Sequence, residues 1–588
     1  MTVGPANSGG FRRYLTILQW LPRYDRRQFA GDAVGGVTVA VMLVPQAMAY
    51  AVLAGVPAVH GLYASLVPLL VYPLAATSRH VALGVTAIDM VIVAAGLSGL
   101  ESPGTSDYVA LVLVLALMVG VLQVLFGLLR LGFVVNLLST PVITGFTTGA
   151  VLFIAATQIG NLAGVPFRTN GRPLITLFGD LVDVLAAADP LALAVGASAI
   201  VILVLFRRLS RRAPGALVVV VVSTAAAWLF DFRSSGLATV GAVPRGLPAF
   251  SIPAVEAGQL GELLPTALTL AFIQFVTIIS VARYYSGRHG YPIRANRELI
   301  SLGAANLGSA MFRGLPVSVS LSRTAVGEAA GVRTPMANVV AAGIVLATLL
   351  FLTPAFEHLP ISSLAAIIIV SALTLVDFTT WRSLVRIKFV DAILAAVTLA
   401  ATLTLGLHEG LLVGVAASVV AILYRISRPN VAVLGKLPGT RSFRSLRRFP
   451  EAERDDDILV IRIDASFSFA NADFLRDLLL DGQGAVREST RAVVVDMSSV
   501  NDLDTTALGV LGFVADTLRE RNITLLFAGT KSPVEDTFRR AALFDRIGAD
   551  RFFLSPHRAV AWFHEQGRTR RPAGQDAEES PDTASGHR

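Results

Sequence analysis

From about residue 30 to residue 428 the chain alternates long apolar stretches with short polar breaks. A helix crossing the hydrocarbon layer of a bilayer needs roughly 20 apolar residues. Residues 111–129, 191–206, 216–230, 337–353, 389–406 and 410–424 read as such spans. Between them stand shorter apolar pieces broken by Pro, Gly and hydroxyl residues. Two of these, Gly84 to Ala95 and Val317 to Ala330, are too short to cross alone and predict broken helices. Non-helical backbone at membrane depth persists only where protein or a watery cavity satisfies its polar groups, so a pair of broken segments frames a solute site between them.

The placement of charge tests the number of spans. Arg and Lys concentrate in cytoplasmic loops. With the N-terminus inside and 14 spans, the even-numbered loops receive Arg79, Arg130, Arg207, Arg208, Arg211, Arg212, Arg283, Arg288, Arg333, Arg382, Arg386 and Lys388. The opposite side carries Glu101, Asp107, Glu357 and Glu409. Fourteen spans divide into two sevens, and an odd repeat inserts its second copy upside down. Pro141 and Pro360, each opening an apolar helix midway through its half, agree with that division.

The pattern changes after Arg428. Residues 429–457 read as a charged linker, and residues 458–566 as a small α/β domain. In that domain the strands Ile458 to Asp464, Ala492 to Asp496 and Ile523 to Ala528 alternate with the helical patterns Asn471 to Leu480, Thr505 to Arg519 and Pro533 to Leu543. Residues 567–588 are polar without apolar period and predict disorder. Residues 1–29 read as a cytoplasmic segment without a signal peptide. The organisation is thus a transmembrane domain over 30–428, a linker, a soluble domain and a tail.

Composition narrows the functions. The chain is 54% hydrophobic and 15% charged, with no cysteine, which removes thiolate chemistry and disulfides. The net charge of +8 is spread over short clusters between spans, so it marks topology and not a nucleic-acid partner. Arg far outnumbers Lys, in keeping with a GC-rich bacterial source. No phosphate-binding loop of the ATP-hydrolysing kind is present, no metal-ligand spacing occurs, and His408-Glu409 reads as a solvated turn. A secondary transporter without cofactor is the expectation, and not an enzyme.

The segment Ala58 to Arg79, with Gly61, Leu62, Tyr63, Ser78 and Arg79 in place, resembles the signature of SulP (sulfate permease) transporters. The blocks Gly31-Asp32, Pro45 to Tyr50, Ala295 to Leu299 and Gly314 to Thr324 resemble that family too, and Ile461 to Ala472 with Val495 to Thr506 resemble its STAS domain. The resemblance implies two inverted seven-span repeats, a core and a gate domain like those of uracil permease, a homodimer, and elevator-like transport of a small anion across a bacterial cytoplasmic membrane, with both termini cytoplasmic. Sulfate, bicarbonate, chloride and dicarboxylates all fit. The Ser322-Arg323 pair, which bicarbonate carriers of the family tend to lack, favours sulfate. An inert membrane anchor for a regulatory STAS platform is the reading from another class.

The resemblance also points the two broken helices, starting near Thr86 and Leu321, at one another across the midplane. Each helix N-terminus offers unpaired N–H groups and partial positive charge, so an anion can be bound largely by backbone. Val85, Thr86 and Ala87 on one side, and Ser318, Ser320, Leu321 and Ser322 on the other, allow close approach. Arg323 supplies charge, and Gln46 and Tyr50, four apart on the first span, line the same cavity. Relatives often carry a coupling carboxylate in the eighth span, where Thr277 stands here. Asp89, three residues after Thr86, is the candidate group for a coupled proton. In the soluble domain Thr505 and Thr506 occupy the place where related proteins are phosphorylated, and Asp504 suits a helix N-cap.

Overall fold

A computed structural model of the chain describes residues 15–132, 139–165, 167, 174–209, 215–232, 234–254, 257–481 and 486–569. Arg211, Arg212, the first fourteen residues and the tail beyond residue 569 lie outside the described residues. The chain divides into two compact units, Met1–Ser418 and Val419–Arg588.

Residues 26–427 supply the spans of a multi-pass membrane protein, and span 14 crosses the boundary between the two units. Span 1 is Arg26–Leu53 and starts before residue 30, because Asp25 caps it by accepting from Gln28 N at 2.7 Å. Span 2 is made of Val59–Ala64 and Val67–Ala75, and span 3 of strand β1 (Leu83–Gly84) and the half-helix Ala87–Gly96. Spans 4 to 7 are Ser106–Leu128, Thr140–Ala163, Pro190–Leu209 and Gly215–Leu229. The second half repeats the plan. Span 8 is Ala257–His289, span 9 is Ala295–Met311, and span 10 is strand β2 (Ser318–Val319) followed by the half-helix Leu321–Ala330. Span 11 is Met336–Ala347, extended by a π-helical turn, and spans 12 to 14 are Ile361–Leu373, Phe389–Thr404 and Leu407–Ser427. Eight helices among the described residues are long and apolar enough to cross a membrane unaided.

The third member of each seven is the broken one, and the fifth opens at a proline, Pro141 or Pro360. Span 9 packs on spans 4 and 2, and span 11 on span 1, which gathers the core; span 5 packs on spans 12 and 13, which gathers the gate. His408 and Glu409 form the first turn of span 14, not a loop, because the chain reverses at Gly406, whose φ of 118° suits glycine.

In the second unit a six-stranded sheet runs in the order β4-β3-β5-β6-β7-β8. Strands β5 (Ile458–Ile463), β6 (Ala492–Asp496), β7 (Thr524–Ala528) and β8 (Phe552–Phe553) are parallel. The segment expected as a linker instead supplies β3 (Val431–Lys436) and β4 (Phe443–Ser445), with β3 antiparallel to β5. Its apolar run contributes to both sheet faces, Ala432 and Leu434 to one and Val431 and Val433 to the other, and the charges that follow obscure so short a run. One sheet face packs Ile461, Val495 and Phe527 against Leu475, Leu511 and Phe538, while Val460, Val494 and Leu526 on the other meet Ala559 and Val560. Burial on both faces explains why these strands read as continuous apolar runs. The helical pattern Pro533 to Leu543 divides into Ser532–Arg540 and Leu543–Ile547, with Ala542 at φ 53° between them.

Candidate anion site

Strands β1 and β2 are antiparallel, with Leu83 opposite Val319 and Gly84 opposite Ser318. Each strand leads directly into its half-helix. The antiparallel pairing therefore sends the helices away in opposite directions and leaves their N-termini close to the crossing. Both half-helices are 10 residues long and both are capped by a hydroxyl. Thr86 Oγ1 accepts from Asp89 N at 3.4 Å, and Ser320 Oγ accepts from Arg323 N at 3.3 Å. The cap uses the third N–H of each helix, while those of Ala87 and Ile88, and of Leu321 and Ser322, have no intrahelical acceptor.

Asp89 and Arg323 thus hold equivalent positions, three residues after the cap, with opposite charge. Both are buried, at 2% and 1% exposure. The Arg323 guanidinium donates through Nη1 to Gln46 Oε1 at 3.0 Å and through Nη2 to the Val85 carbonyl at 3.0 Å, while its Nε has no hydrogen-bond partner. It lies over Gly84, where φ is 149° and an added Cβ would stand 3.1 Å from Nη2 and 2.7 Å from Leu43; glycine is required there on both counts. Arg323 therefore fastens span 10 to the entry of span 3 and to span 1, besides bringing charge. Glu328, a carboxylate on the same half-helix, pairs instead with Arg288 at 3.3 Å and His289 at 2.9 Å.

The structure brings Gln46, Tyr50, Val85, Thr86, Ala87, Leu321, Ser322 and Arg323 to one crossing. Tyr50 and Gln46 are buried on span 1, and Tyr50 interacts electrostatically with Arg323. Val85 and Ala87 are buried and Thr86 is half-buried, whereas Leu321 and Ser322 are exposed and open the site on the span 10 side. Ser320 and Ser322 share a 3.1 Å hydroxyl contact, and Ser318 is buried in β2. The Thr277 hydroxyl donates to Ile273 O of its own helix at 2.8 Å. A separate cavity of about 690 Å³ lies at the far end of the span 3 half-helix, between Val91 and Ser98 of that segment and Phe153 and Gln158 of span 5.

Two buried carboxylates secure the half-helices. Glu298, fully buried, accepts from Tyr72 OH, Thr77 N and Ser78 N, each at 2.7 Å, and also from the Thr77 hydroxyl. It holds the approach to span 3. Asp32, equally buried, accepts from Arg333 N at 2.7 Å and Thr334 N at 3.0 Å, and so holds the exit from span 10. The family blocks containing these acids were visible in the sequence, but their anchoring roles were not. Sequence reasoning also missed a cluster of fully buried amides, Gln123 on span 4, Gln274 on span 8 and Asn306 on span 9. The available signal was a polar residue inside an apolar span, which is a functional candidate by default.

In the soluble unit Asp504 Oδ1 caps the helix Thr505–Glu520 by accepting from Ala507 N at 2.9 Å, and Thr505 and Thr506 are exposed in its first turn.

A membrane domain with two facing half-helices and a separate α/β domain define a transporter with a soluble appendage. Residues 29–398 match the family described as "Sulfate permease family", and residues 449–559 match "STAS domain". The chain belongs to the sulfate permease family. A "Probable sulfate transporter" of Mycobacterium tuberculosis is 32% identical over 558 residues, which cover 94% of this chain and 99% of the relative. "Sulfate transporter 4.1, chloroplastic" of Arabidopsis thaliana is 32% identical over 565 residues, covering 92% and 81%. The solved structure titled "The overall structure of SLC26A9" superposes with a TM-score of 0.85 at 25% identity, covering 95% of this chain and 94% of that one. The transmembrane domain of the cyanobacterial bicarbonate transporter BicA shares the fold, with a TM-score of 0.59 at 23% identity over 67% of this chain and 98% of that one. The fold is thus the 14-span inverted repeat with a core and a gate, and the protein is a membrane transporter, not an enzyme.

Proposed function

We propose that the protein carries sulfate across a bacterial cytoplasmic membrane by secondary active transport, with the core moving against the gate. The observation that carries this reading is the pair of capped half-helices whose N-termini converge on a strand crossing beside a buried arginine. A sulfate dianion there receives hydrogen bonds from the free N–H groups of Ala87, Ile88, Leu321 and Ser322 and from the Ser322 hydroxyl. Thr86, Val85 and Leu321 shape the opening. Arg323, held by Gln46 and flanked by Tyr50, adds positive potential in a poorly screened setting. The names of the relatives support sulfate over other small anions.

Asp89 is the group proposed to carry a coupled proton, since Thr277 has neither the charge nor a free hydroxyl for the task. A carboxylate beside an incoming dianion takes up a proton because that removes like-charge repulsion. The basic even-numbered loops support cytoplasmic termini, and family membership supports a homodimer. The boundaries proposed for the transport domain are 26–428, moved from 30 to the start of span 1, and those for the soluble domain begin with β3, at residue 431.

Uptake of radiolabelled sulfate into proteoliposomes of the purified protein tests the proposal. Saturable uptake is expected, with excess bicarbonate, chloride or a dicarboxylate competing weakly. Fast bicarbonate or chloride flux without sulfate uptake overturns the substrate, and absence of any anion flux favours the inert anchor.

A further inference from the structure

The three buried amides form one network whose orientation is set by the backbone. Val317 N donates to Asn306 Oδ1 at 2.7 Å, which fixes the Asn306 side chain with Nδ2 as its donor end. That nitrogen lies 2.9 Å from Gln123 Oε1, 3.1 Å from Gln274 Oε1 and 3.2 Å from the Val317 carbonyl. Gln123 therefore presents oxygen to Asn306 and donates through Nε2 to Gln274 Oε1 at 2.9 Å. With its oxygen facing two donors, Gln274 cannot flip without setting N–H against N–H. Its Nε2 is left fully buried and without an acceptor, and the Gln274 side chain acts on the Asp89 carboxylate. Asp89 Oδ2 is in turn buried without a donor.

We propose that Gln274 is the positioning residue for Asp89, aimed at its carboxylate by Gln123 and Asn306 and tied through Val317 to the strand crossing that carries both half-helices. This rests on the reading of Asp89 as the proton-coupling group. A buried amide N–H without an acceptor and a buried carboxylate oxygen without a donor are each destabilising, so a small closing movement that joins them is favourable. The donated hydrogen bond favours the ionised carboxylate, because Gln274 offers no acceptor on that side for a protonated one. Other groups also act on Asp89. Arg323 of span 10 interacts with it electrostatically, the Thr86 hydroxyl reaches it within its own segment, span 1 brings Tyr50 beside Arg323, and span 5 carries no titratable residue. Because Val317 directly precedes β2, any shift of the crossing moves Asn306 and hence the aim of Gln274. Proton affinity at Asp89 is thereby linked to the geometry of the anion site.

The test is the pH profile of initial sulfate uptake in proteoliposomes of the full-length protein. Wild type is expected to accelerate as the outside is acidified, and Asp89→Asn to be flat. Gln274→Leu, or Gln274→Met should the first fail to fold, is expected to keep the acceleration with its midpoint moved to higher pH by about one unit, as loss of a donor to the ionised form requires. Gln123→Leu, which frees Gln274 to turn, is expected to move the midpoint in the same direction by less. Folded Gln274 variants with an unmoved midpoint, beside a flat Asp89→Asn, overturn the positioning role alone. An Asp89→Asn protein that keeps the wild-type profile overturns the coupling reading and this proposal together.

Discussion

The half-helices of spans 3 and 10 share a plan and differ in one residue that matters most. Each follows a two-residue strand, each is capped by a hydroxyl, and each bears a buried charge at the residue whose N–H the cap accepts. Asp89 agrees with the positive end of its helix; Arg323 opposes it. An arginine in that position is tolerable only with compensation, and its bonds to Gln46 and to the Val85 carbonyl, with the nearby charge of Asp89, supply some. The exposures differ as well: the start of the span 10 half-helix is open at Leu321 and Ser322, while Ala87 and Asp89 are covered. Pseudo-symmetry thus provides two equal hydrogen-bonding ends, and the departure from it separates an accessible cationic half from a closed acidic one.

The comparison breaks most severely where the halves are fastened. Glu298→Ala strands Tyr72 OH and the N–H groups of Thr77 and Ser78 without their acceptor, a loss of about 3 kcal/mol or more at roughly 1–3 kcal/mol per orphaned donor. Asp32→Ala should cost a similar amount at the other half. Thermal unfolding in detergent measures both, and tolerance of either would make the fastening one-sided. Next in size, Arg323→Ala should weaken sulfate binding by about 1.5–3 kcal/mol, while Asp89→Asn changes it by less than about 1 kcal/mol. Equal losses in an equilibrium binding assay would dissolve the division between cationic and acidic halves. Thr86→Ala and Ser320→Ala each remove one cap and should each cost about 1 kcal/mol of stability. A several-fold inequality would mean that the two ends are not equivalent. The smallest effect is expected from a cut after Arg428, which removes the whole sheet: the preference for sulfate over bicarbonate should stay unchanged, since the residues proposed to bind the anion all precede it.

Much of this architecture could be read in advance because it depends on local pattern. Apolar length marked the spans, whereas the starts of the half-helices near Thr86 and Leu321 came from the family resemblance, and the capping by Thr86 and Ser320 showed only in the structure. Strands β5, β6 and β7 were legible as apolar runs. What escaped depends on distance. Gln123, Gln274 and Asn306 are separated by up to 183 residues, and nothing in their own neighbourhoods says that they meet. Arg323 could be singled out as a buried charge, but not as the clasp over Gly84, since that contact needs the strand crossing. Strand β3 escaped because its apolar run, Val431 to Leu434, is short and is followed by a charged stretch.

Asp32 belongs to span 1, yet the backbone N–H groups that donate to it, at Arg333 and Thr334, lie 301 and 302 residues downstream. At about 5–20 residues per second, roughly 15 to 60 seconds pass before that partner exists. Throughout that interval a carboxylate one turn or two inside an apolar helix has only Tyr24 and water to bond with, an expensive state in lipid. The native closure of span 1 is therefore an act of the completed chain, and the first half of the repeat, although made first, must remain in a provisional, water-accessible arrangement until the second half arrives.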